Sequence, residues 1–201
     1  MSRTLRGFGL KVGEVSKGKF AARIRELAAG HEMLEAVTAA MLAAREGLLA
    51  EFMRLHRRML AIVRADAVCR RLMTAPGVGA LVSITFRTAV DDPVRFGTSK
   101  AVGAHFGLTP KRYQSGETDV AGGISKSGDA MVRTALYEAA NAVLSRPTRF
   151  SPLKRWAMDV ARRRGLKRAK VALARKLASV LHRMWADGTE FRWSREMEAA
   201  V

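Results

Sequence analysis

Apolar residues recur every seven positions through the first third of the chain. One seam is apolar throughout and consists of Phe20, Leu27, Leu34, Met41, Leu48, Leu55 and Ile62. A second seam is apolar only at its ends and consists of Ile24, His31, Thr38, Arg45, Phe52 and Met59. This pattern predicts long helices, either folded as an intramolecular hairpin or paired with a second copy as a coiled coil. Gly30 is the expected break between two helices, because glycine weakens a helix by about 1 kcal/mol relative to alanine.

A proline and two glycines interrupt the helical pattern further along the chain. The helix before Pro76 is expected to end, because proline disfavours helical backbone in the residue ahead of it. Gly77 and Gly79 allow a tight turn before the next apolar segment. The arrangement resembles helix-hairpin-helix DNA-binding motifs, in which backbone N–H groups of such a turn approach a phosphate. An ordinary connection between two helices is the alternative.

The second half of the chain alternates helical patterns with one irregular, glycine-rich stretch. Helices are predicted at 99–106, through Met131, Leu136, Ala140 and Val143, at 151–164 and at 166–185, and short strands at 112–115 and 119–121. Ser127 is the expected N-cap of the helix that follows it. The predicted fold is therefore mainly α: long coiled-coil or hairpin helices, then a compact helical domain with a helix-hairpin-helix-like motif and a short irregular or β loop.

The same pattern suggests four regions along the chain. We expect a linker over residues 1–19, coiled-coil helices over 20–66, a compact domain over 67–190 and a tail over 191–201.

Charge narrows the class of partner. The 201 residues are 48% hydrophobic and 27% charged, as in a folded protein, and carry a formal net charge of +18. A polyanion, nucleic acid above all, is the expected partner, with an anionic membrane as the rival. No stretch approaches the roughly 20 apolar residues that span a bilayer. The single cysteine and the absence of a signal-peptide pattern fit a cytoplasmic location without a membrane partner.

The positive charge is concentrated between Arg146 and Lys176, where the sequence contains twelve basic residues and a single acid, Asp159. Five of them cluster where two predicted helices meet, namely Arg162, Arg163, Arg164, Lys167 and Arg168. A solvated helix face is the ordinary explanation of a charge run. The density of this run and its lack of acids favour a phosphate-binding face.

Candidate chemistry is limited to one loop. The four histidines are far apart in sequence and the acids are few, so no metal site is predicted in this chain. Ser115 precedes a glycine in a basic loop, and cations near a serine hydroxyl would stabilise the charge that develops when it attacks a phosphodiester. The candidate phosphate clamp consists of Lys111, Arg112, Lys126 and Arg133. From the residues alone a structural Ser-Gly turn remains open, and Tyr113 is a competing nucleophile or stacking residue.

Three stretches carry a resemblance to a known family. They are Met73 to Gly79, Phe106 to Gly116, and Gly122 to Asp129. Together they resemble the bridge-RNA-guided serine transposases of bacterial insertion sequences, the "IS-one-ten" group. The resemblance implies a recombinase with an acidic, magnesium-binding RuvC-like domain, then a coiled coil, then a domain with a nucleophilic serine. It also implies that Ser115 is that serine, and that the chain acts on DNA, with a structured guide RNA and a homo-oligomer formed through the coiled coil.

This sequence departs from the family pattern, because no part of it resembles the acidic domain. The chain is therefore expected to be a truncated copy, a decayed gene or half of a split reading frame, with no cofactor of its own and magnesium held by the missing N-terminal domain. Taken alone, it is expected to bind nucleic acid with little or no strand cleavage. Two other functions remain open: a non-catalytic helix-hairpin-helix DNA-binding protein, and a coiled-coil assembly protein whose basic face binds RNA.

Overall fold

The computed structural model describes residues 2–115, 118–147 and 149–193, with the side chains of Ser2 and of residues 112–121 left out. The described part is mainly helical, as predicted, with one small sheet. The α-helices are α1 (Ser2–Gly7), α2 (Phe20–Ala28), α3 (Glu32–Ala65), α4 (Ala67–Leu72), α5 (Ala80–Val90), α6 (Ser99–His105), α7 (Ala130–Ser145), α8 (Pro152–Arg164) and α9 (Leu166–Ala186). The strands are β1 (Pro110–Ser115) and β2 (Thr118–Ile124), and Pro93–Arg95 forms a 3-10 turn.

The chain divides into two compact units, Met1–Met59 and Leu60–Val201. In the first unit, α2 ends before Gly30 and α3 begins after it, as the glycine predicts. Gly30 adopts a φ of +84°, and its N–H donates to Glu35 Oε1 at 2.8 Å. The core of this unit contains five buried side chains: Leu5, Ile24, Ala28, Leu34 and Leu42. Leu5 lies in the segment predicted as a linker, so that segment contributes to a core.

The apolar seam of α3 changes character along its length. Leu34 is buried in the first unit's core, whereas Leu48 and Leu55 are 73% and 56% exposed. Phe52, from the second seam, is also exposed, and its ring stacks on His56. The intramolecular packing of the first unit thus covers only the beginning of the seam.

Helix α9 is the centre of the second unit. Leu173, Leu177 and Leu181 recur every four residues and are fully buried against α6, α7 and α8. This spacing places them on one face of the helix, so their burial fixes which face of α9 remains accessible. None of the described helices is both long enough and apolar enough to cross a membrane.

Helix α7 begins differently from the prediction. The helix starts at Ala130, and its N-cap is Asp129, whose carboxylate accepts from the N–H of Met131 at 2.6 Å. The assignment of Ser127 as the cap is therefore wrong. Gly128 turns the backbone through a φ of +71° after Ser127, which places the helix start two residues later.

Candidate nucleic-acid interface

The candidate nucleophile lies on the β-hairpin. Strands β1 and β2 pair antiparallel, with Tyr113 opposite Val120 and Ser115 opposite Thr118. The two predicted strands are thus confirmed and are slightly longer than expected. The side chains of Arg112, Tyr113 and Ser115 lie outside the described residues, so only their backbone positions on β1 are defined. Lys111, also on β1, is exposed.

The base of the hairpin is held by contacts between backbones. The N–H of Ser125 donates to the carbonyl of Thr109 at 2.8 Å, and that of Lys126 donates to Gly107 at 3.1 Å. Gly107 has a φ of +66°, and a Cβ there would collide with the backbone of Ser127. A Cβ on Gly128 would likewise collide with the carbonyl of His105. Two glycines are therefore required where these segments meet.

Arg133 completes this anchor from α7. Its Nη1 donates to the carbonyls of Ser127 at 2.7 Å, Gly128 at 2.9 Å and Phe106 at 3.3 Å. Three carbonyls thus accept hydrogen bonds from Nη1 of Arg133, a residue that the sequence analysis assigned to phosphate binding. Lys126, the neighbouring clamp candidate, is exposed and has a φ of +59°.

The two glycines after Pro76 have different surroundings. Gly77 has a φ of +77°, and a Cβ there would collide with the carbonyl of Ala139 on α7 and lie 2.8 Å from Val143 Cγ2. Gly79 is exposed at the start of α5, with open space around its Cα. Gly77 thus allows the turn to pack on α7, while Gly79 leaves the N-terminus of α5 accessible. The resemblance to a helix-hairpin-helix motif stays a prediction.

The basic cluster surrounds the junction of α8 and α9. Arg162, Arg163, Arg164, Lys167 and Arg168 are all exposed. Arg162 Nη1 lies 3.6 Å from Asp159 Oδ1, and Gly165, with a φ of +81°, turns the chain between the helices. The structure brings only Lys167 and Arg168 of this cluster into the groove described next.

A groove of about 1140 Å³, which we call the α9 groove, runs along the accessible face of α9. Its other walls are the start of α6, the base of the hairpin and Trp156 of α8. The lining includes six basic residues: Lys100, Lys167, Arg168, Arg175, Lys176 and Arg183. No acidic residue is among the described residues that line it. The summed positive charge of such a wall attracts an anionic ligand.

Two of these cations have neighbours that hold them in place. Lys176 Nζ lies 4.1 Å from the centre of the Trp156 ring, within the range of a cation–π interaction. Arg183 Nε lies 3.5 Å from Asp187 Oδ2 at the end of α9. Gly103 lets α6 approach this face closely, since a Cβ there would lie 2.9 Å from Arg175 Cγ.

Sequence reasoning missed most of the α9 groove. Lys100, Trp156 and Arg183 were not singled out, and Arg175 and Lys176 were only counted within the basic run. The helical spacing of Arg168, Arg175, Lys176 and Arg183 could have identified one basic face of α9. The contribution of Trp156 depends on the packing of α8 against α9.

A buried histidine supports the wall formed by α6. His182 of α9 is 3% exposed, and its two ring nitrogens lie 3.0 Å from Ser99 Oγ and 2.9 Å from the Pro93 carbonyl. The ring of Phe96 packs edge-on against it at 5.6 Å. His182 therefore fixes the 93–99 segment to α9 and with it the start of α6.

Metal ligands are not gathered anywhere in the part of the chain that the structure describes. No three His, Cys, Asp or Glu side chains there lie close enough together to hold a metal ion. The described residues therefore do not fit the magnesium that the family resemblance implies.

Comparison with known proteins identifies the family. Residues 69–155, from α4 to the start of α8, match the family model described as "Transposase IS116/IS110/IS902 family". These residues form a transposase domain of that family. The match includes the hairpin with Ser115 and the glycine turn before α5, and it ends before α9.

Curated relatives of this transposase domain agree. The chain is 37% identical over 132 residues to "Transposase for insertion sequence element IS1111A" of Coxiella burnetii, which covers 65% of the chain and 35% of the relative. It is 32% identical to "Probable family 20 transposase" of Pseudomonas aeruginosa over 72% of the chain and 43% of the relative. It is 29% identical to "Putative transposase y4pF/y4sB" of Sinorhizobium fredii over 96% of the chain and 52% of the relative. The chain thus spans about a third to a half of the relatives it matches.

Proposed function

We propose that this transposase domain binds the DNA of an insertion sequence and contributes Ser115 as the nucleophile of strand transfer. The observation that carries the proposal is the α9 groove, which is lined by six cations and by the base of the hairpin that includes Ser115. DNA is the ligand of matching charge, and two relatives are described as transposases for insertion sequence elements. A structured guide RNA would be a second ligand with the same phosphate chemistry.

The proposed reaction is the transfer of a phosphodiester to Ser115. The Oγ attacks phosphorus and forms a serine phosphoester, while the bond from phosphorus to one sugar oxygen breaks. The serine proton passes to a base, and the departing oxygen takes up a proton and becomes a sugar hydroxyl. Because one phosphoester replaces another, a second DNA hydroxyl can reverse the step and complete strand transfer.

Cations near the hairpin have two separate roles in this proposal. Lys111 and Lys126 are exposed at the foot of the hairpin and would stabilise negative charge on the phosphoryl oxygens. Lys167 and Arg168, together with the exposed Arg162 to Arg164 run, would bind backbone phosphates of the DNA at positions distant from the reacting phosphate. Arg112 and Tyr113 share strand β1 with Ser115, and we assign them to DNA contact as well.

We assign any magnesium, and the carboxylates that bind it, to a domain outside this chain. By itself the chain is then a nucleic-acid-binding protein with little or no strand cleavage. Cleavage requires the acidic domain, supplied either in one longer polypeptide or by a partner subunit.

A second copy of the chain is the proposed occupant of the exposed seam of α3. Leu48 and Leu55 belong to one heptad position, and Phe52 to the other. Their exposure is what we expect of a coiled-coil seam that a second helix with the same pattern would cover. A homo-oligomer would also bring two serine domains to one DNA junction.

Recombination by Ser115→Ala tests the proposed function. The variant and its parent are each supplied with the acidic domain of a curated relative, and recombination of an insertion-sequence substrate is measured by amplification across the new junction. We expect loss of recombination with DNA binding retained. Ser125→Ala is the matched control, because Ser125 Oγ pairs with Ser127 Oγ at 3.0 Å outside the hairpin tip.

The control also defines the contrary result. If Ser115→Ala recombines as well as the parent and as Ser125→Ala, the nucleophile assignment is wrong. A non-catalytic DNA-binding role through the glycine turn at Gly77 and Gly79 then becomes the better explanation of the domain.

A further inference from the structure

The floor of the α9 groove is apolar, although its rim is basic. Ile124 at the end of β2, Trp156 of α8 and Val171 and Val180 of α9 are half-buried and line the groove beside the buried Leu108. Part of each of these side chains thus faces the groove. A ligand that fills it covers apolar surface as well as meeting positive charge, and each Å² so removed from water contributes about 25 cal/mol.

The cations of the rim come from two elements. Lys100 lies at the start of α6, whereas Lys167, Arg168 and Arg175 lie on α9. Lys176, also of α9, stands directly over the Trp156 ring. A ligand in the groove would carry negative charge along its length and a flat apolar group near Trp156.

A stacked duplex does not match both features at once. Its outer surface consists of phosphates and sugars, and the faces of its bases are covered by neighbouring base pairs. Phosphates pressed against Ile124 and Val171 would lose water without gaining a hydrogen bond, which is costly. An unpaired nucleotide offers the faces of its base to the floor and its phosphate to the rim.

We propose that the α9 groove holds a single-stranded stretch of nucleic acid with at least one unpaired base packed beside Trp156. This inference rests on the proposed function, which supplies nucleic acid as the class of ligand. It adds that the groove selects a single strand over a duplex. The groove volume of about 1140 Å³ exceeds the roughly 300–1,000 Å³ of drug-sized pockets and leaves room for more than one nucleotide. Gly122 and Gly123 at the hairpin base add a wall without side chains, along which a strand could lie close to the backbone.

The position of the groove relates single-strand binding to the proposed reaction. Ile124 ends the same strand, β2, that pairs with β1 and its Ser115. A base held out of the helical stack there would open the duplex at the foot of the same hairpin that carries Ser115 near its other end. Unstacking a base costs a few kcal/mol, and a groove that binds its faces offsets that cost.

A binding experiment with the full chain tests the inference. It compares a labelled oligothymidine strand with the same strand annealed to oligoadenine. Affinity is measured by fluorescence anisotropy at one fixed salt concentration. The variant is Trp156→Leu, which removes the aromatic ring and keeps an apolar side chain. The matched control is Phe150→Leu, because Phe150 is 55% exposed, stacks with Arg155 and does not line the groove.

We expect Trp156→Leu to weaken single-strand binding by about five- to a hundredfold, the range for loss of one stacked base, and to leave duplex binding nearly unchanged. Phe150→Leu should leave both affinities unchanged. An equal loss for both strand forms with Trp156→Leu, or no loss for either, overturns the inference. Displacement of the strand by polyglutamate at an equal concentration of charges also overturns it, in favour of an acidic protein segment.

A second measurement uses the unaltered chain, so it does not depend on the folding of a variant. A strand containing 5-iodouracil is photocrosslinked, and the adduct is located by mass spectrometry. Adducts at Trp156 or its neighbours in the groove support the inference, and adducts confined to other surfaces overturn it. If the chain binds neither single strand nor duplex, the proposed function fails as well. If it binds the duplex normally and crosslinks elsewhere, only the inference fails.

Discussion

Gly107 at the hairpin base and Gly188 after the end of α9 allow a matched test of how closely packed the hairpin base is. Gly107 and Gly188 have nearly equal φ values, +66° and +68°. Around Gly188 there is nothing within 4 Å of a built Cβ, whereas at Gly107 the Cβ would meet the backbone of Ser127 and lie 2.8 Å from the carbonyl carbon of Lys126. Substituting each by alanine therefore imposes the same backbone strain but a collision at one position only.

The magnitude follows from these two contributions. A left-handed conformation costs an alanine about 1–2 kcal/mol, partly offset by about 0.4–1 kcal/mol from the stiffer unfolded chain, at both positions. At Gly107 the colliding atoms are backbone, and the hydrogen bonds of Ser125 and Lys126 resist their movement. Such overpacking costs about 1–3 kcal/mol more. We expect Gly107→Ala to lower the free energy of unfolding by about 1–3 kcal/mol more than Gly188→Ala does.

Urea denaturation followed by tryptophan fluorescence is the assay. The three tryptophans, Trp156, Trp185 and Trp193, all belong to the second unit, so the signal reports on the unit that contains the hairpin. The midpoint and the slope together give the free energy of unfolding. Equal destabilisation by the two variants, within about 0.5 kcal/mol, would refute the claim that the hairpin base depends on close backbone approach.

Three further predictions concern other parts of the chain. Leu48→Glu should shift sedimentation from oligomer to monomer, while Ala50→Glu, an equal charge outside the seam, should not; monomeric parent protein would contradict this. His182→Leu should cost about 2 kcal/mol of stability by losing two buried hydrogen bonds, and the exposed His31→Leu almost nothing, as urea titration would reveal. Burial raises the pKa of the Cys69 thiol, so iodoacetamide at mildly alkaline pH should alkylate it only on unfolding; rapid labelling of native protein would contradict this.

Much of the secondary structure could be predicted because it depends on local pattern. The break at Gly30 and the helix from Leu166 follow from glycine conformation and helical spacing. The start of α7 could not be placed as reliably, because Ser127 and Asp129 are both good caps. The positive φ values of Lys126 and Gly128, which decide between them, arise from the packing of this turn against His105.

The candidate site was only partly accessible from the sequence. Ser115 and its basic neighbours form one short segment, so a motif could identify them. The α9 groove draws Lys100, Trp156 and Arg175 from segments far apart in sequence, and only tertiary packing brings them together. Arg133 shows the converse limit, since a cation suggested for phosphate contact donates to three carbonyls of its own domain.

The anchor at the foot of the hairpin has a consequence for engineering. Its hydrogen bonds and close contacts use main-chain atoms of residues 105–109 and 125–128, together with one guanidinium. Because these contacts are made by backbone atoms, we expect the anchor to tolerate side-chain changes beyond the foot. We therefore expect the segment between Lys111 and Gly123 to be exchangeable as a cassette. Hairpins grafted from other family members should be presented in the same place, which would allow the surroundings of the serine to be varied while the rest of the second unit is kept constant.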